Sequence, residues 1–203
     1  MNFVGNEYYK LNRRLLMLVG LWPYEHSIYK YCQMIFCNVI VMYMTVSQVR
    51  VYSTYNLISS LCHLFDFALT CCGNNGIRYL MDHVEKDWNM LKDKKELEII
   101  ESYTYVGSMC TLSFTILGYV ATITIFISSL IPSILDIIAP LNTSRPRQFL
   151  FPGEYFIDQQ KFFYAILLQT NISLGLIVTT LVGTESLYVT YVQHACGMFR
   201  IAR

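Results

Sequence analysis

The sequence predicts an all-α membrane protein of four transmembrane helices with a cytoplasmic N-terminus. Three observations carry this. Ser102 to Leu135 is a run of thirty-four residues without Asp, Glu, Lys, Arg or His, whereas a helix needs only roughly 20 apolar residues to cross a ~30 Å hydrocarbon core. The chain is 54% hydrophobic and 14% charged, against about 25% charged residues in soluble domains. With four spans, eleven of the fifteen basic residues fall in the segments on the N-terminal side and four (Arg50, Arg145, Arg147 and Lys161) on the other. Lys and Arg favour the cytoplasmic face.

The element that organises the chain is the third span, about 103–131. Leu112, Phe114, Ile116, Leu117, Ile123, Ile125, Phe126 and Ile127 cover every side of that helix. Apolarity all round marks a lipid-facing or protein-buried rod. Pro132 is the first helix breaker, and the chain is expected to leave the membrane near it.

Upstream, Arg13-Arg14 precede a short apolar stretch ending at Trp22-Pro23. No small-residue cleavage site follows, so it is not a signal peptide. It reads as a short helix at the membrane interface, stopped by Pro23, with Trp22 and Tyr24 at headgroup depth. The first span is about 31–49, uncharged between Lys30 and Arg50, with Asn38 expected to bond a neighbouring helix.

The second span is about 57–77. It holds His63 and Asp66, three apart and so on one helical face. An intramembrane carboxyl either makes a structural polar contact or faces a ligand or gate, and both readings stand. From Arg78 to Glu101 five basic residues interleave with seven acids, while apolar residues recur at helical spacing. This predicts a solvated helix continuing into the third span. Pro132 to Lys161 reads as a loop with four prolines. The fourth span is about 162–184, and helix is expected to continue beyond it.

The loop carries the sequon Asn142-Thr143-Ser144 on the side placed outside, which makes Asn142 the glycosylation candidate. The seven cysteines, an odd number mostly in apolar stretches, argue against a disulfide framework. The net charge of +1 predicts no nucleic-acid partner. The four histidines lie on different segments, so no metal site is predicted. No phosphate loop, HExxH or nucleophile elbow occurs. The chain is therefore read as a non-enzyme without cofactors.

Aromatic and aliphatic side chains with sparse polar ones suit a pocket for a small apolar molecule. By depth alone, the candidate ligand-binding residues in the outer halves of the spans are Tyr55, Cys62 and Phe65, then Tyr119, Ile123 and Phe126, then Tyr164, Leu167, Leu168 and Asn171.

Three stretches carry a resemblance. They are Gly20-Leu21-Trp22-Pro23 ahead of the first span, Leu150-Phe151-Pro152-Gly153-Glu154-Tyr155-Phe156 running through Lys161-Phe162-Phe163-Tyr164, and Gln193-His194-Ala195-Cys196-Gly197-Met198-Phe199. In order and spacing the chain resembles insect odorant receptors, the kind abundant in ants, bees and wasps. The resemblance implies a seven-helix receptor of which residues 1–203 are the N-terminal part. It implies a cation channel gated by volatile ligands, assembled as a heterotetramer with the shared co-receptor in the plasma membrane of sensory dendrites. Other readings are a gustatory receptor fragment, close in topology, and a four-span scaffold or transport protein. A G-protein-coupled receptor fits poorly, because its N-terminus lies outside and no Asp/Glu-Arg-Tyr triplet follows the third span here.

Overall fold

The computed structural model describes residues 4–25, 27–49, 74–139 and 157–203. All regular structure among them is helical. A 3-10 segment, Val4–Tyr9, leads into α1, Lys10–Leu18. Then come α2 (Ile28–Val49), α3 (Asn74–Met90), α4 (Lys94–Ile138) and α5 (Phe163–Ala202). Most of the expected second span, with His63 and Asp66, lies outside the described residues, as does Asn142.

Two helices, α4 and α5, are long and apolar enough to cross a membrane. The 45 residues of α4 and 40 of α5 reach about 67 and 60 Å at ~1.5 Å per residue, twice a hydrocarbon core. Each must therefore project well beyond any bilayer it crosses. Ile28–Met44 of α2 is a shorter apolar helix.

The two long helices pack antiparallel. Ile100 lies against Gly197, Gly107 against Thr190, and Gly118 against Val178, so partners run in opposite directions along the two chains. A Cβ on Gly107 would stand 3.2 Å from the Thr190 Cα, and one on Gly118 would stand 2.8 Å from Val178 Cγ1. Small residues of this kind let backbones meet where water supplies no driving force. Threonines along both helices return their hydroxyls to the carbonyl four residues back, as Thr111 does to Gly107 and Thr179 to Gly175. Their polar atoms are thereby satisfied within the helix.

Burial is uneven. Only 6% of the most apolar window of α4 is buried, and 28% of that of α5. Leu117, Val120, Ile123 and Ile127 are more than half exposed. The packed core sits instead at one end, where α1, α3, the start of α4 and the last third of α5 converge. Tyr9, Leu16, Val19, Trp22, Met81, Trp88, Ile100 and Leu187 form it. A second, smaller cluster, Met44 with Ile166, joins α2 to the start of α5. An apolar rod as bare at mid-length as α4 is the pattern expected of a helix solvated by lipid.

Several local expectations change. The helix α1 ends at Leu18, before Pro23 is reached. Gly20 takes a left-handed backbone (φ 74°), with Gly20 N–H donating to Met17 O at 3.2 Å and Leu21 N–H to Leu16 O at 2.8 Å. That is a Schellman stop, and only glycine adopts it without strain. Trp22 is buried in the protein core. The start of α2 is fastened to this turn: Lys30 Nζ donates to Trp22 O at 2.7 Å, and Gln33 Nε2 to Leu18 O at 2.7 Å.

The solvated segment does not run unbroken into the third span. The helix stops at Met90 and restarts at Lys94, where the Asp93 carboxylate accepts from Lys95 N–H at 3.3 Å as an N-cap. Pro132 does not end α4, which continues to Ile138. Within a bundle a proline costs one backbone bond and need not break the rod. Asn38 donates to Met34 O of its own helix at 2.8 Å, not to a neighbour. Cys32 and Cys196 are exposed, while Cys37 is buried.

Candidate functional site

The described ligand candidates occupy the part of the α4–α5 pair away from the main core, which is partly covered. Tyr119 crosses the seam, its hydroxyl 2.7 Å from Thr179 Oγ1. Ile123, Tyr164 and Leu168 are well exposed, whereas Leu167 is buried. Carrying the register on from Gly118 and Val178 sets Phe126 level with Asn171. Asn171 donates from Nδ2 to Leu167 O at 2.7 Å, and its Oδ1 is buried without a partner. Tyr55, Cys62 and Phe65 lie outside the described residues.

Polar contacts missed by the sequence reading gather at the packed end. Asn12 is 1% exposed. Its Nδ2 donates to Thr190 Oγ1 at 3.3 Å, and its Oδ1 accepts from Ser186 Oγ at 3.2 Å. Thr190 in turn donates to Ser186 O at 2.8 Å. An asparagine in a short basic helix carries no signal that it will be buried, because its partners come more than 170 residues later.

His194 is also buried, with Nε2 3.1 Å from Asp87 Oδ2. The two residues line a groove of about 470 Å³ between α3 and α5, together with His83, Tyr191, Met198 and Phe199. Two histidines scattered in sequence thus share one trough. Among the described residues no group of His, Cys, Asp and Glu is arranged to hold a metal ion. None of the candidate ligand residues lines this groove, which belongs to the packed end.

Three tyrosines stitch the same end. Burial pushes the Tyr9 hydroxyl far above its ordinary pKa. Burial does the same to Tyr191, reinforced by Tyr9 and Tyr24 nearby. Tyr24 is raised by desolvation and then by its hydrogen bond to Asp82. The Arg78 guanidinium sits 5.6 Å above the Tyr24 ring, a cation–π contact.

No protein-family model, curated protein or solved structure matches the chain.

Proposed function

We propose that the chain is the ligand-binding part of an insect odorant receptor subunit. It crosses the plasma membrane four times from a cytoplasmic N-terminus. It takes small volatile or apolar molecules in the outer half of the helix bundle and, in a seven-helix form with the shared co-receptor, gates a cation channel.

The observation that supports the membrane part is the length and apolarity of α4 and α5, together with the bare mid-length of α4. The receptor part rests on the three resembling stretches. Their places in the fold support the reading, because each does structural work where it falls. Gly20-Leu21-Trp22 closes α1 and enters the core. Asp158 accepts from the backbone of Gln160 and Lys161 and turns the chain into α5. His194 and Gly197 fasten the end of α5 to α3 and α4.

A ligand favours an open state only as far as it binds that state better. The test is current. A seven-helix form carrying residues 1–203, co-expressed with the co-receptor, passes cations on exposure to members of a broad volatile panel. Silence across the panel, with both subunits at the cell surface, overturns the reading.

A further inference from the structure

The groove between α3 and α5 joins apolar walls to one carboxylate. Leu80 and Val84 of α3 and Met198 and Phe199 of α5 line its volume of about 470 Å³, within the ~300–1,000 Å³ usual for small-molecule sites. Phe199 is 78% exposed, so the α5 wall offers an open aromatic ring.

Asp87 is the acid of this groove, and only half of its carboxylate is engaged. Oδ2 lies 3.1 Å from His194 Nε2, and the Asp87 side chain is 27% exposed. Among the described residues Oδ1 has no hydrogen-bond partner and is not enclosed, and no lysine or arginine pairs with Asp87. His83, one turn earlier on α3, stacks on Tyr79 with ring centroids 4.4 Å apart. His194 is 4% exposed, and its Nδ1 is enclosed without a partner. An imidazolium would bury an unpaired N–H there. The neutral ring, with its proton on Nε2, fits that enclosure and leaves the carboxylate charge uncancelled. A negative charge anchored by a buried partner, open on one oxygen and flanked by apolar walls, selects a cation with an apolar body.

We propose that this groove binds a small organic ammonium carrying an aliphatic or aromatic group, its N–H donating to Asp87 Oδ1 and its apolar part lying against Met198 and Phe199. Aromatic faces such as that of Phe199 attract ammonium groups. An inorganic cation gains nothing from the apolar walls, and an anion meets the carboxylate. The site is separate from the candidate ligand residues of α4 and α5, and it goes beyond the receptor reading without resting on it.

The test uses the 203-residue chain in nanodiscs of zwitterionic lipid. The probes are 2-phenylethylamine, its neutral analogue 2-phenylethanol and the anion 3-phenylpropionate, each corrected for uptake by empty discs. The amine is expected to bind about tenfold more tightly than the alcohol, the low end for a hydrogen bond to a charged group, and the anion more weakly than either. In Asp87→Asn, which keeps an acceptor for His194, the preference collapses while alcohol binding stays, which also reports that the variant is folded. Ala195→Phe, which fills the groove from its α5 wall, removes binding of both. Equal binding of amine and alcohol, a preference that survives Asp87→Asn, or amine binding untouched by Ala195→Phe overturns the assignment. So does a failure of all three probes to bind, and each of these results leaves the receptor reading to its own test by current.

Discussion

Asn12 and Thr190, 178 residues apart, meet inside the packed end of the molecule, with Asn12 Nδ2 donating to Thr190 Oγ1 at 3.3 Å. Both side chains are buried, and Asn12 Oδ1 takes the Ser186 hydroxyl on its other side. The short basic helix α1 is thereby locked to the last third of α5 at the level where Gly107 of α4 closes on Thr190. Three helices are fixed by one polar node.

Removing the hub leaves the Ser186 hydroxyl buried without its acceptor and Thr190 without its donor. Asn12→Ala is expected to destabilise the chain by about 1–3 kcal/mol, the desolvation cost of orphaned groups. Asn12→Ala and Thr190→Val together should cost less than the sum of the two, because they remove the same contact. Thermal unfolding in detergent, run as a double-mutant cycle, measures this. Additive losses would show that the two side chains do not interact.

The helix seam makes a second prediction. Gly107→Leu forces a branched side chain against the Thr190 backbone, and overpacking of this kind costs about 1–3 kcal/mol. Gly76, early in α3, has nothing within 4 Å of its Cβ position. There Gly→Ala should stabilise by about 0.5 kcal/mol through backbone entropy. Melting temperatures of the two variants should therefore move in opposite directions.

Alkaline pH should act on the packed end. Tyr9 and Tyr191 have their pKa raised by burial, so the folded state prefers the neutral phenol. That stability is fully present below the ordinary tyrosine pKa of 10.0 and is lost as pH rises above it, where the unfolded chain ionises freely. Melting temperature should be insensitive to these groups up to about pH 10 and fall beyond it. The fall should be shallower in Tyr9→Phe and Tyr191→Phe. An unchanged slope in both would show that the two hydroxyls are solvated.

Much of the architecture was legible in the residues. The uncharged runs 102–135 and 162–184 announce the two long helices, because apolarity on all sides admits few other solutions. The continuation of α5 as helix past Glu185 was also expected. Boundaries set by one local contact were not legible. Pro23 looked like the stop for α1, but Gly20 supplies it three residues earlier, through a φ that sequence pattern does not display. The Asp93 cap was hidden within a mixed charge run, and Pro132 looked like an exit because proline usually ends a helix, whereas α4 carries it inside. At the candidate site, depth alone brought out Asn171 and Tyr119. His83 and His194 looked unrelated until α3 folded against α5.

The central claim is that α4 and α5 cross the membrane as an antiparallel pair, with the segment between them outside and the packed end of α1 and α3 in the cytosol. An epitope at Met1 and another inserted after Arg147, probed by antibody on intact and on permeabilised cells, test it directly. The account predicts that the Arg147 epitope is stained on intact cells and the Met1 epitope only after permeabilisation. Staining of Met1 on intact cells, or of both epitopes only after permeabilisation with the protein at the cell surface, would contradict it.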